Sequence, residues 1–173
     1  MAGIKINRIT NANVYMNGSS LLGRVDEASL PVLSMIEADV KALGLVGKIT
    51  LPSGFDKLTG KFKWNSFYDD VWLQFGNPFV PVSVQVRSSV DTYNSQGRSA
   101  QTAMVTFLTL SMTKIPLGVF KQNDAAEFES DFTATYVRQT VGGKDIIELD
   151  VLANIFKVGG VDQLDIYRAN IGG

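Results

Sequence analysis

The sequence predicts a mainly β, antiparallel fold of barrel or sandwich type, with one short helix in mid-chain and another at the end. Three observations lead there. Apolar residues recur with period two through most of the chain. Glycine-bearing turns separate these runs. Only two short stretches carry helical spacing.

The clearest strand is "VPVSVQVRSSVD", where Val82, Val84, Val86 and Val90 alternate with polar residues, giving one dry and one wet face. After the loop "NSQGRSA", the stretch "QTAMVTFLTLSMTK" continues as a second strand with both faces partly apolar, so the pair reads as a long hairpin. Earlier, Asn17-Gly18 lies between two apolar runs, a strong hairpin signal. "SMIEADV", "KITLPSG" and "LTGKFKWNSF" read as further strands. Near the end, "FTATYVRQT" and "KDIIELDV" are joined by a Gly142-Gly143 turn.

The mid-chain helix is "FYDDVWLQFG", with Phe67, Val71 and Phe75 at four-residue spacing and Gly76 as terminator. The closing helix lies in "KVGGVDQLDIYRANIGG". Asp162 is placed to cap it and Asp165 falls in its first turn. Leu164, Tyr167 and Ile171 share one side, and Gly172 stops it. A helix of about ten residues is marginal alone, so it must dock on its own domain or on a neighbouring copy.

Length and uninterrupted patterning make residues 1–173 one domain, large enough for its own core. Closing the sheet is the usual way to dispose of exposed strand edges. Apolar residues at 45%, charged residues at 19% and a net charge of -1 show no bulk attraction to nucleic acid or anionic membrane. The chain has no cysteine and no histidine, which removes thiolate nucleophiles, the commonest zinc ligands and the side chain that titrates near neutrality. No cofactor is expected, and no run reaches the ~18 apolar residues of a membrane span. The polar start "MAGIKINRITNAN" lacks the hydrophobic region of a signal peptide, so synthesis without export is expected.

Two constellations invite a functional reading. In "AEFESDFTATY", Glu127, Glu129 and Asp131 project from one face of a strand and the aromatics from the other. Carboxylates two apart sit about 6.5 Å from one another along a strand, with no further ligand to close a cation site, and a solvated face is the plain alternative. The loop around "GLVGKI" lacks the phosphate-loop spacing. Leu43, Leu45 and Val46 instead place apolar side chains where polar ones are expected, pointing to burial in a partner or against the chain's own barrel. Trp64, Trp72 and the phenylalanines read as core or interface filling.

From "YVRQTVGGKDIIELDVLANIFKVGGVDQLDIYRANIGG" the chain resembles the major tail tube proteins of contractile phage tails, the group of P2-like tubes and R-type pyocin tubes. The glycine-turn hairpin, Glu148 and Asp150, the run from Asn154 to Leu164 and the ending from Arg168 to Gly172 carry the likeness, and "NVYMNG" and "SLPVL" extend it. The resemblance implies a β-barrel protomer forming hexameric rings that stack into a rigid tube inside a contractile sheath. The tube would surround a tape-measure protein, meet baseplate and tail-terminator proteins, pass DNA as non-specific cargo and belong to a virion assembled in the host cytoplasm, with no active site.

Under that resemblance Glu127, Glu129 and Asp131 are candidates for a lumen-facing acidic strand. Leu43, Leu45 and Val46 are candidates for a ring-stacking loop, and Leu164, Tyr167 and Ile171 for a subunit-docking helix. The alternative from another class is a small-molecule-binding barrel of lipocalin type, which would need a concave apolar pocket.

Overall fold

A computed structural model describes residues 4–173. The reading of the chain's start as lacking a targeting signal falls partly on residues 1–3, outside the described ones. In chain order the strands are β1 (Ile6–Arg8), β2 (Ala12–Met16), β3 (Ser19–Ser20), β4 (Val25–Ser29), β5 (Met35–Val40), β6 (Ile49–Phe55) and β7 (Leu58–Trp64). After helix α1 (Asp69–Phe75) come β8 (Val82–Asn94), β9 (Gly97–Met112), β10 (Phe128–Val141), β11 (Lys144–Asp150), β12 (Ile155–Val158), β13 (Val161–Asp162) and helix α2 (Asp165–Ile171).

Period-two patterning decides which faces turn inward. Val82, Val84 and Val86 of β8 are buried, as are Leu108 and Leu110 of β9 and Phe128, Ser130 and Phe132 of β10. The Asn17-Gly18 pair turns β2 into β3 with both residues at positive φ (47° and 84°), the conformation a two-residue hairpin turn needs. Gly142-Gly143 joins β10 to β11 in the same way. β8 and β9 are longer than the sequence suggests, because most of "NSQGRSA" continues the ladder up to the Asn94↔Gly97 pair.

The long antiparallel strands β8, β9 and β10 form the centre of one sheet, and each outer member of this trio serves two neighbours. The first half of β10 pairs with β7, its second half with β11, and β9 takes the opposite edge from Phe132 to Val141. The change falls at a bulge around Thr135, whose carbonyl accepts from the Val151 N–H. Likewise β8 pairs with β2 along one stretch and with β1 along the next. The sheet therefore forks at both sides and curls over its buried face.

The curl is held by ladders from β3 to β4 the long way round, and no ladder joins those two ends directly. The expected barrel is thus an open one. Helix α1 covers the opening. Val71, Trp72 and Phe75 turn inward, while Phe67 lies before the helix and half exposed. Arg24 pairs with Asp70 at 2.6 Å, and Trp72 Nε1 donates to the Pro116 carbonyl at 3.0 Å.

Phe62, Trp64, Phe75 and Phe132 fill the interior in stacked and tilted contacts, with Phe62 and Phe132 centroids 4.9 Å apart. The single hydroxyl in this layer, Ser130 Oγ, accepts from Trp64 Nε1 at 2.9 Å, so neither polar group is buried unpaired. A barrel that binds a small molecule keeps a cavity where these rings stand.

Candidate assembly surfaces

Strands β5 and β6 form a separate two-stranded ribbon that stands away from the main sheet. Its register places Ala38 opposite Leu51 and Val40 opposite Ile49. Ile36, Ala38, Val40, Ile49 and Leu51 therefore share one face, with Glu37, Asp39 and Thr50 on the other. Both faces are largely solvent-exposed. A two-stranded ribbon is at best marginally stable by itself, and here an apolar face lies uncovered.

At the far end of this arm the residues between β5 and β6 form an exposed loop, tied by a Leu45 N–H bond to the Ala42 carbonyl and turned by Gly44 at φ 87°. Leu43 and Val46 are wholly exposed and Leu45 about half. The loop does not fold back on its own chain. At the near end the arm is fixed by the Phe55 ring 4.7 Å from Phe156 and by the Asp56 N–H bond to the Ser34 carbonyl.

The closing helix is shorter than its sequence suggests, because Val161 and Asp162 are spent on β13, which pairs with β12. Asp162 consequently does not cap the helix. One of its carboxylate oxygens accepts from the Leu164 N–H, and the other takes the Arg168 guanidinium at 2.6 Å. That guanidinium holds the Asp162 carboxyl below the usual carboxylate range. Arg168 also donates to the Asn154 carbonyl at 2.8 Å, so the helix is tethered mainly by one polar side chain. Gly172, left-handed at φ 81°, ends it as expected.

Of the three apolar residues read onto one side of that helix, Leu164 is half-buried, whereas Tyr167 and Ile171 remain 51% and 55% exposed. Leu164 and Tyr167 border an apolar hollow of about 480 Å³ whose other walls include Met35, Pro52, Phe55 and Leu149. The base of the arm and the closing helix, distant in sequence, thus share one groove.

Glu127, Glu129 and Asp131 occupy one face at the start of β10, as their alternation predicts, opposite the buried side chains of Phe128, Ser130 and Phe132. Each acid meets a lysine: Glu127 with Lys121 at 3.3 Å, Glu129 with Lys61 at 3.6 Å, and Asp131 with Lys114 in a hydrogen bond that raises the lysine's pKa. The row is a mixed-charge face. β7 supplies alternating lysines directly across the ladder, a pairing that no local sequence pattern announces.

Further exposed apolar residues carry no signal in the sequence. Leu73, Phe79 and Val80 protrude around the end of α1, Leu117 and Phe120 in the segment before β10, and Ile146, Val158 and Val161 on β11 to β13. In sequence these resemble ordinary core residues. Only the folded chain shows them facing outward.

Comparison with known proteins agrees with this picture of a fold with uncovered apolar surfaces. Residues 6–172 match the family model described as phage tail tube protein FII. The chain is 29% identical over 163 residues to the tail tube protein of Escherichia phage P2, covering 92% of this chain and 94% of that one. Among solved structures, it shares its fold with chains from two cryo-EM structures of an extracellular contractile injection system. One is the PVC sheath/tube terminator in the extended state, with a TM-score of 0.54, 14% identity, and coverage of 75% of this chain and 93% of that chain. The other is the PVC sheath-tube complex in the extended state, with a TM-score of 0.54, 13% identity, and coverage of 75% and 88%. With nearly its whole length matched by the family model, this chain belongs to the phage tail tube protein FII family.

Proposed function

We propose that copies of this protein form hexameric rings that stack into the inner tube of a contractile tail, a conduit for DNA and a rod driven through the host envelope. The observation that carries the proposal is the β5–β6 arm, which presents a half-exposed apolar face and, at its tip, Leu43 and Val46 wholly uncovered by the described residues. Burying one such aliphatic side chain contributes about 1.5–3 kcal/mol. Repeated at every contact, this makes association cumulative along a tube. The relatives' sheath-tube and terminator assemblies support a sheath protein and a terminator as outer and end partners. A tape-measure protein inside and a baseplate at the tip complete the proposed set.

The row Glu127, Glu129 and Asp131 is the candidate lumen strip. Its lysine partners leave such a wall balanced rather than strongly negative, so it would chiefly deny DNA an unbroken cationic surface to adhere to. Replacing all three acids by lysine is expected to leave tubes intact and to slow genome passage. Unchanged delivery would reject the lumen placement, and loss of tubes would move the row to an interface between subunits. The assembly proposal itself is tested by negative-stain microscopy of the purified protein over a concentration series. Hollow rods are expected, and monomers at every concentration would overturn it.

A further inference from the structure

We infer that the groove between the arm base and the closing helix is the socket for the arm tip of a second copy of this chain. The inference rests on the tube reading and specifies the contact that propagates it.

The two surfaces match in chemistry. The tip offers Leu43 and Val46, both wholly exposed, and the groove offers Met35, Pro52, Phe55, Leu149, Leu164 and Tyr167 around about 480 Å³. They also match in charge. Lys41 stands exposed at the root of the tip loop and has no carboxylate within ion-pair distance among the described residues, whereas the neighbouring Lys48 is already paired with Asp39 at 2.6 Å. Asp150 lies in the groove wall. One of its oxygens accepts the Leu152 and Ala153 N–H groups at 3.0 Å, and the other takes no hydrogen bond among the described residues. A lysine two residues from the apolar tip thus finds a carboxylate in the apolar socket.

The two surfaces cannot meet within one chain. β5 has six residues, which puts the tip about 20 Å from the base that borders the groove. A knob at one end of an arm and a socket at the other give a heterologous contact, in which every bound copy still offers a free tip or a free socket. Such a contact builds an open array without a change in the protomer's fold.

The absence of cysteine allows a clean test. Val46→Cys and Tyr167→Cys are prepared separately, co-assembled into rods and oxidised. Disulfide-linked dimers are expected in the mixture and not in either variant alone. Dimers from Val46→Cys alone would show tips meeting tips and overturn the inference. So would intact mixed rods without dimers. If either variant fails to form rods, wild-type rods treated with a zero-length carbodiimide decide the matter. A Lys41–Asp150 peptide cross-link, absent from dilute monomer, is expected, and its absence from rods rejects the socket. A wild-type protein that never forms rods would refute the tube reading itself.

Discussion

Gly60 shows how a single position sets the spacing of three strands. It lies on β7 between β4 and β10, where an added Cβ would overlap the Phe132 ring and the Ser29 carbonyl oxygen. The ring could shift only by disturbing its stack on Phe62, and the backbone oxygen has nowhere to go. Gly60→Ala is expected to destabilise the protomer by about 1–3 kcal/mol, read as a lower urea midpoint. The Asp162–Arg168 pair supplies a pH dependence at the same scale. Because the folded-state pKa of Asp162 is depressed, its contribution is complete above the ordinary aspartate value of about 4 and is lost as pH falls through the folded value. The Asp162 carboxyl carbon resonance should therefore move with an acid midpoint below about 4, and the Arg168 guanidinium resonances should move with it. A midpoint at or above 4 would contradict it. In the sequence, the alternation through "EFESDF" puts Ser130 on the face opposite the acids, but its bond to Trp64 joins strands far apart in the chain and left no local trace.

Elements with local determinants were legible. The Asn17-Gly18 and Gly142-Gly143 turns, the valine alternation of β8 and the buried spacing of Val71 and Phe75 in α1 all depend on neighbours within a few residues. The strands β1 and β4 were not, because they are short or mostly uncovered and are defined by ladders to partners distant in the chain, and neither was β13, whose two residues are too few to show a pattern. β13 also explains why the closing helix starts later than its aspartates suggest. The arm and this helix carry separable predictions. Replacing Leu45 and Val46 by aspartate alters one half-exposed and one wholly exposed side chain, so the unfolding free energy should change by no more than about 1 kcal/mol while rods fail to form. Normal rods would refute the role of the loop. Deleting residues 165–173 removes a helix with no buried side chain, so the shortened protein should keep its strand circular dichroism and cooperative melting yet not assemble. Loss of folding would mean that the helix serves its own domain instead.

At the scale of the whole molecule, period-two patterning was enough to read a mainly antiparallel β fold. The forked sheet was hidden, since one strand serving two partners in succession, as β10 does, follows from three-dimensional register alone. The same holds for the surfaces. The unusual composition of the tip loop flagged it in the sequence, whereas the groove draws on segments near residues 35, 52–55, 149–151 and 164–167 and exists only once the chain is folded. A protomer of the tail tube family with a filled interior leaves the apolar tip of its arm uncovered by the described residues. The most direct measurement is a cryo-EM reconstruction of rods assembled from the purified protein. Six subunits per ring are expected, with residues 41–48 of each subunit buried against a subunit of the adjacent ring. Rods in which those loops remain in solvent, or rings without sixfold symmetry, would contradict it.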